Sequence, residues 1–494
     1  MLWLALHFPH LPLEVFTRGG QTTAQAQTIA ITSSAESNAI IIVANRPAQA
    51  RGVTTGMSLS AACALVSGLH TIAQDATREH ATLARIAAWS LQFTSLVSLA
   101  GSNSVLLEIE GSLKLFGGLN KLHRHIADSV AELGFHACTA CAPTPLAALW
   151  FARAGLNLRL QHPDTLRHAL EKLPADLICE DAPTRHLLES FGVRTLGDCL
   201  KLPRDGLARR AGQPLLDQLD RALGLRPDPR LPFVAPQTYS AALPLPGPVT
   251  HAEALLFAAH RLLAELCGWL AATGHGVQRP KFEFIHEKQV VTIITLELAS
   301  ATRDLDHLTT LLRERLTRTE LPCAAIEIVI HSDRVTPLTS HNLAFLPGGA
   351  EQAENASRFV ERLNARLGAN AICWITPHAD YRPERAWRTC KPGATANDSA
   401  AKSSTAALPY TRPFRPLWLL TTPKPLRETN TAPHDQEGGP LSLLAGPERI
   451  EAGWWDGQHV ARDYFVARNQ VHSLLWVYRE RNTAARWYVH GFFS

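Results

Sequence analysis

Apolar and polar positions in the first third of the chain follow two periods. Residues 2–6, 28–32 and 40–45 read as strands. The last is a continuous β-branched run of the kind buried on both faces of a sheet. Residues 58–66, 75–92, 119–133 and 146–153 carry the 3.6-residue period of helices. Asp75 is placed to cap the second of these and Gly134 to close the third. Residues 98–111 have the pattern of a β-hairpin: an apolar run, a polar tip at Asn103-Ser104, then a strand over 105–109. Residues 135–141 form a further strand. Elements mixed in this order predict an α+β palm, a small sheet with helices on one face.

The pattern changes over 181–223, where short helical pieces are joined by Phe191-Gly192-Val193-Arg194-Thr195-Leu196-Gly197-Asp198. Helix, glycine-containing hairpin, helix can aim backbone N–H groups at a DNA phosphate without reading sequence. A plain turn between helices has the same pattern. Arg204, Arg209 and Arg210 add positive charge nearby. Residues 227–248 are proline-rich and read as a tether. The span 253–332 then reads helix, strand, strand, helix, strand. A short apolar peptide, Asn342-Leu343-Ala344-Phe345-Leu346, precedes a helix over 351–367 and a strand over 371–376. Residues 391–410, rich in Ala, Ser, Thr and Pro, read as disordered, and 427–440 as a second gap of low hydrophobicity. Five of the eleven Trp fall after residue 412, in runs that read as antiparallel strands.

With 494 residues, about three domains are expected. A hydrophobic fraction of 46% and a charged fraction of 19% exclude wholesale disorder. A net charge of +4 permits a nucleic-acid partner without demanding one. Nine dispersed cysteines form no zinc pattern. The one close pair, Cys138-x-x-Cys141, reads as two buried thiols on a strand rather than a redox site. The N-terminus lacks a basic region and a cleavage site, and no run of about 18 apolar residues is present, so neither a signal peptide nor a membrane span is expected. A reducing, cytoplasmic location fits these features.

Several motifs resemble those of Y-family (translesion) DNA polymerases. Ala50-Arg51-Gly52-Val53-Thr54-Thr55-Gly56-Met57 is similar to the family's fingers motif, and residues 94–111 to its palm hairpin. The resemblance implies an α+β, multidomain right hand. It comprises a palm over 1–170 with fingers inserted at about 35–75, and a helix-hairpin-helix thumb over 171–230. A linker and little finger follow over 231–350, then a helix–strand extension over 351–390, a disordered linker over 391–411 and a β-rich C-terminal module over 412–494. Arg415-Pro-Leu-Trp-Leu-Leu420, Gly446-Pro-Glu-Arg-Ile-Glu-Ala-Gly-Trp-Trp-Asp456, Arg462-Asp-Tyr464 and Trp487-Tyr-Val-His-Gly-Phe492 resemble motifs of a group of polymerase-like proteins from bacterial mutagenesis cassettes. Ordinary members of the family lack them.

The departures matter more than the matches. The family's metal-binding Asp-Glu falls on Asn103 and Ser104, and its first Asp on Ala5 when Glu14 is aligned with the family's Val-Glu. Its Asn-Lys pair falls on Thr144 and Pro145. Two-metal phosphoryl transfer needs oxygen ligands bridging ions about 3.5–4 Å apart. Neutral side chains do not offset divalent charge. Glu108 and Glu110 share one face by strand period, away from the tip. The expectation is a non-enzyme with no cofactor and no bound metal. The alternative is an active but diverged polymerase. DNA contact is expected at Gly192, Val193, Arg194, Thr195, Gly197, Arg279 and Lys281, with Lys288 nearby. Asn342, Leu343, Phe345 and Leu346 resemble a sliding-clamp-binding peptide, with a shortened amide and a reversed aromatic pair, and Arg415-Pro-Leu-Trp-Leu419 is a second candidate. Most of Trp418, Trp454, Trp455 and Trp487 are expected in a core. The resemblance implies that the tail, through Arg415, Leu417, Trp418, Trp454 and Trp455, recruits an error-prone C-family DNA polymerase and a RecA-like accessory protein.

Overall fold

The computed structural model describes the chain except residues 21–26, 37, 179–181, 289, 333–334, 339–348, 369–370, 391–414, 430–431, 436–438, 482–483 and 494. It divides into two compact units, Met1–Arg366 and Leu367–Ser494.

The first unit opens with β1 (Trp3–His7) and α1 (Leu11–Thr17). The fingers follow as β2 (Ile29–Thr32), β3 (Ile41–Ala44), α2 (Arg46–Gln49), α3 (Leu59–Leu65) and β4 (His70–Ala73), in strand order β3-β2-β4. β3 lies at one edge of this sheet, yet three of its four residues are buried, as its continuous apolar run predicts, while Ile40 just before it is exposed. The palm resumes with α4 (Ala76–Ser90), β5 (Val97–Leu99), β6 (Ser104–Glu108), α5 (Leu119–Glu132), β7 (Cys138–Ala142) and α6 (Pro145–Arg153). Asp75 Oδ1 caps α4 by accepting the Arg78 N–H at 2.9 Å, and Gly134 closes α5 at φ +85°.

The palm sheet is antiparallel, in order β5-β6-β1-β7, and both of its faces are covered. Leu4, Leu6, Val105 and Leu107 pack on α4 and α5. Trp3, Ala5, Leu106 and Ala140 pack on α6 and on helices of the thumb. The expectation of helices on one face fails because the run Leu2–Leu6 is apolar at every position, and both parities must be buried. Cys138 and Cys141 point to opposite faces, being three apart on β7. Only Cys141 is buried, and burial lifts its thiol to about 12. Both thiols are free.

Helices α7 (Leu166–Glu171), α8 (Ala182–Ser190), α9 (Leu196–Lys201), α10 (Arg204–Ala211) and α11 (Gln213–Ala222) make the thumb. Of the proline-rich stretch read as a tether, residues 227–236 carry no regular structure, but the second half is β8 (Tyr239–Val249). Tyr239, Ala241, Leu243 and Leu245 alternate inward, and β8 lies at a sheet edge, where the missing N–H of Pro244 and Pro246 is tolerated. With α12 (Ala252–Thr273), β9 (His275–Val277), β10 (Lys281–His286), β11 (Val291–Thr295), α13 (Leu305–Arg318) and β12 (Ala325–Ser332), it builds a sheet in order β11-β10-β12-β8, with α12 and α13 on one face. By length and composition α12 could cross a membrane, although Glu253, His260, Arg261 and Glu265 interrupt its apolar run. Here it is a core helix, and most of its apolar stretch is buried. β13 (Val335–Pro337) pairs with β9, and α14 (Gly349–Leu367) ends this unit.

α12 also seats on α4. Gly268 marks the crossing, because a Cβ there would lie 2.1 Å from the Trp89 ring. Beside it Glu265, fully buried, is gripped by Arg18 and by Arg85 at 3.2 Å, and accepts the Tyr239 hydroxyl at 3.2 Å. Burial works to raise the Glu265 carboxyl, but the two guanidiniums hold it below its ordinary range.

In the second unit, β14 (Trp374–Pro377) and β15 (Trp387–Cys390) form a hairpin. Then come β16 (Trp418–Pro425), β17 (Arg427–Thr429), β18 (Ala432–Asp435), β19 (Gly439–Pro440), β20 (Ser442–Ala452), β21 (Val460–Arg468), β22 (Leu474–Glu480) and β23 (Trp487–Phe492). Five form the main sheet, in order β16-β23-β22-β21-β20. Within residues 427–440, read as a gap, β17, β18 and β19 form a small antiparallel meander. One face of the main sheet buries Tyr464 stacked on Trp476, at 4.1 Å between centroids, and the other buries Trp487.

Candidate functional site

The tip of the palm hairpin is held by neutral groups. Ala5 pairs with Leu106 and Ala140 on neighbouring strands and is completely buried in apolar surroundings. Ser104 is equally buried, as the first residue of β6 opposite His7, and its hydroxyl meets His7 Nδ1 at 2.9 Å. The Asn103 carbonyl accepts the Phe8 N–H at 2.8 Å. Burial, with Arg153 nearby, lowers the His7 imidazole to about 4 and so keeps it neutral. Among the described residues, no group of three or more His, Cys, Asp or Glu is arranged to hold a metal ion. Thr144 caps α6 and donates to the Ala222 carbonyl at 2.7 Å, tying palm to thumb, while Pro145 takes the first helical turn.

Glu108 differs from its sequence reading. It has the same strand parity as Ser104, not a separate face, and lies four residues along β6, opposite Trp3. Its Oε1 accepts the Leu2 N–H at 3.2 Å and the Glu110 N–H at 3.3 Å. About 13 Å of strand separates it from the tip.

The thumb hairpin spends its N–H groups internally. Gly192 donates to the Glu189 carbonyl, Val193 to that of Leu188 and Leu196 to that of Leu173. The Arg194 and Thr195 amides donate to one oxygen of Asp198, at 3.4 and 3.2 Å, and Thr195 caps α9 in return. This capping box holds the Asp198 carboxyl below its usual value, chiefly through the Thr195 hydroxyl. Val193 is buried, and Gly197 lies against the Glu171 backbone. Thr195 followed three residues later by Asp198 is a capping signal visible in the sequence. What remains outward is side-chain charge: Arg209 and Arg210 are exposed, with Arg210 over the Phe191 ring at 5.1 Å. On the little-finger sheet, Lys281 pairs with Glu283 at 2.6 Å and Arg279 with Glu297 at 3.4 Å, while Lys288 is exposed.

Asn342, Leu343, Phe345 and Leu346 lie outside the described residues, as do 391–411. In the second unit, three of the four tryptophans expected mostly in the core are exposed: Trp418 at 72%, Trp454 at 76% and Trp455 at 54%. Only Trp487 is buried. Leu417 is exposed as well, and Arg415 pairs with Glu448. Sequence reasoning missed the support beneath Trp454-Trp455. Arg382, on the turn of the first hairpin, bonds Asp380 at 2.6 Å, Asp456 at 2.7 Å and the Gln458 carbonyl at 3.2 Å, and lies 5.7 Å from the Trp455 ring centre. Arg385 adds a bond to Asp456 at 2.8 Å. Asp456 is 74 residues from Arg382 in sequence, so their pairing gives no local signal.

Palm, inserted fingers, helical thumb and a four-stranded little finger define a right hand of the Y-family polymerase kind, followed by a β-rich module. The impB/mucB/samB family model matches residues 22–153. Protein ImuB of Caulobacter vibrioides, in strains NA1000 / CB15N and ATCC 19089 / CIP 103742 / CB 15, is 27% identical over 461 residues, covering 90% of this chain and all of that protein. Residues 22–153 thus carry an impB/mucB/samB-type domain, and the chain is similar along most of its length to Protein ImuB. Among solved structures, a Y-family chimera, Dbh-Dpo4(243-245)-Dbh, matches at 17% identity and a TM-score of 0.40 over 68% of this chain and all of its own. DinB from Sulfolobus solfataricus matches at 16% and 0.39 over 69% of this chain, again over its whole length.

Proposed function

We propose that this protein is a non-catalytic hub of translesion synthesis and damage-induced mutagenesis in the SOS response. It holds primer-template DNA and the β sliding clamp, and tethers an error-prone C-family polymerase together with a RecA-like, ImuA-type accessory protein. The observation that carries this reading is the palm tip. Ala5 and Ser104 are sealed in apolar or neutral surroundings, so a cation brought there would meet no carboxylate. Losing metal-borne charge stabilisation removes several kcal/mol from the transition state, at about 1.4 kcal/mol per tenfold in rate. Tethering needs no chemistry, because it acts by raising effective concentration. The exposed, braced Trp454-Trp455 pair has the character of an interface hot spot.

DNA contact rests on side chains, with Arg194, Arg209 and Arg210 of the thumb as the first candidates, Arg279 and Lys281 as further ones, and the hairpin residues Gly192, Val193, Thr195 and Gly197 as its scaffold. Clamp contact rests on Asn342, Leu343, Phe345 and Leu346. Two measurements test the reading. Primer extension with magnesium or manganese is expected to give no incorporation; incorporation lost in Glu108→Gln would establish the diverged polymerase instead. Pull-down of clamp and C-family polymerase should succeed with the full chain. Leu343→Ala/Phe345→Ala/Leu346→Ala should lose only the clamp, and Trp454→Ala/Trp455→Ala only the polymerase. Retention in both variants would refute the assignments.

A further inference from the structure

Among the described residues, the little-finger sheet has one open edge. Its order puts β8 at one side, where it packs beside α1, and β11 at the other. The phase of the β10–β11 ladder follows from two bonds: the His286 N–H donates to the Val290 carbonyl at 2.9 Å, and the Leu296 N–H to that of Pro280 at 3.1 Å. Residues 290, 292, 294 and 296 therefore bond inward to β10. The N–H and C=O groups of Val291, Ile293 and Thr295 point outward along the edge. The same residues turn their side chains to the face opposite α12 and α13, and Val291 and Ile293 are 43% and 55% exposed.

Exposed edges are normally blunted by a charge, a proline, a bulge or a cover. Val290-Val291-Thr292-Ile293-Ile294-Thr295 has no charge and no proline, and nearly every residue is β-branched. The β10–β11 pairing runs in unbroken register.

We propose that β11 pairs antiparallel with β11 of a second copy of this chain, joining two four-stranded sheets about a two-fold axis at Ile293. The occupant follows from self-complementarity. With Ile293 opposite its symmetry mate, Val291 faces Thr295 on both sides of the axis, and all three pairs are of the hydrogen-bonded type. Each exchanges two backbone bonds, which gives six. The span that pairs in that register, 290–296, holds no charged residue, so no like charges are opposed. The two Ile293 side chains meet on the open face and cover each other. Pairing by one strand buries less than a standard protein interface, so the dimer is a weak one, with a dissociation constant on the order of 10 µM.

Sedimentation velocity on the full chain from about 1 to 100 µM tests this. The expected result is a mass rising from 54.0 kDa toward twice that value with concentration. Val291→Lys/Ile293→Lys, which alters only exposed side chains and sets lysines across the axis, should weaken association at least tenfold. Ile293→Pro, which removes an outward N–H and leaves the β10 ladder intact, should do the same. Circular dichroism of each variant should match the parent. Amide exchange at Ile293 should slow as the dimer forms. A monomer over the whole range overturns the proposal and leaves this edge to an extended peptide from another protein. A dimer indifferent to both variants overturns it equally, by placing the interface elsewhere.

Discussion

The palm tip and the seam between palm and little finger treat charge in opposite ways. At the tip, where nucleotidyl transfer would need carboxylates, stand Ala5, Asn103 and Ser104, with a neutral His7 closing the gap. At the seam, where catalysis needs nothing, a fully buried Glu265 sits between Arg18 and Arg85 and takes the Tyr239 hydroxyl. Charge at the seam holds elements together, whereas Ala5, Asn103 and Ser104 at the tip are neutral. A buried ion cluster adds little net stability over an apolar one, but it penalises any other packing heavily. The seam therefore fixes how α12 meets α4.

Restoring charge at the tip should be the most disruptive change. Ala5→Asp/Asn103→Asp/Ser104→Glu is expected to lower stability by about 5 kcal/mol, since two of the three sites are fully buried, and to incorporate no nucleotide. Incorporation by this variant would show that the tip retains the geometry of a metal site, and would break the contrast. Removing charge at the seam comes next. Glu265→Ala leaves two guanidiniums confronting each other and should cost about 3–5 kcal/mol in urea unfolding, followed through Trp89 and Trp269 fluorescence. Ser104→Ala, at the tip, should cost only about 1 kcal/mol. Equal losses would mean that the two places do not differ as described.

The palm's pH response sharpens the same contrast. Burial raises the Glu14 carboxyl from 4.5 to about 7, partly opposed by the His136 N–H and by Arg18. A raised folded-state value means that stability from neutral Glu14 is complete below pH 4.5 and is lost as pH rises through about 7. Glu14→Gln should remove that loss, gaining about 2 kcal/mol on the parent between pH 5 and 8 in denaturant titrations. His7 acts in the opposite sense. Its contribution is present above pH 6.5 and fades as pH falls toward 4, so His7→Gln should flatten the acid side alone. The smallest effects belong to the thumb. Asp198→Asn should lower the urea midpoint slightly by loosening the capping box, yet bind duplex DNA a few-fold more tightly by removing a like charge. Arg209→Ala/Arg210→Ala should weaken binding and lower its salt slope by about 1–2. An unchanged slope would place the DNA contact elsewhere.

Much of the hand was legible because its elements carry local signals. Asp75 and Gly134 do what their residue types favour at helix ends, and the α–β–β–α–β order read over 253–332 recurs with one short strand, β9, added. β8 was hidden behind its prolines, although Tyr239, Ala241, Leu243 and Leu245 keep the strand period, because proline's veto lapses at an edge and only the sheet shows where the edges are. The exposed Trp454 and Trp455 were hidden for the converse reason: composition argues for burial, and only the Arg382–Asp456 pair shows the ring pair braced at the surface.

The sequence by itself determined which side chains stand at the palm tip, and therefore which chemistry they can and cannot supply, because charge and ligand type belong to the residue. Only the tertiary structure decided which polar groups are already spent: the hairpin amides on Asp198, Glu265 on two arginines, and the inward half of β11 on β10. Hydrogen-bond partners are chosen by proximity in space, and residues 18 and 265 or 382 and 456 are brought together only when the chain folds.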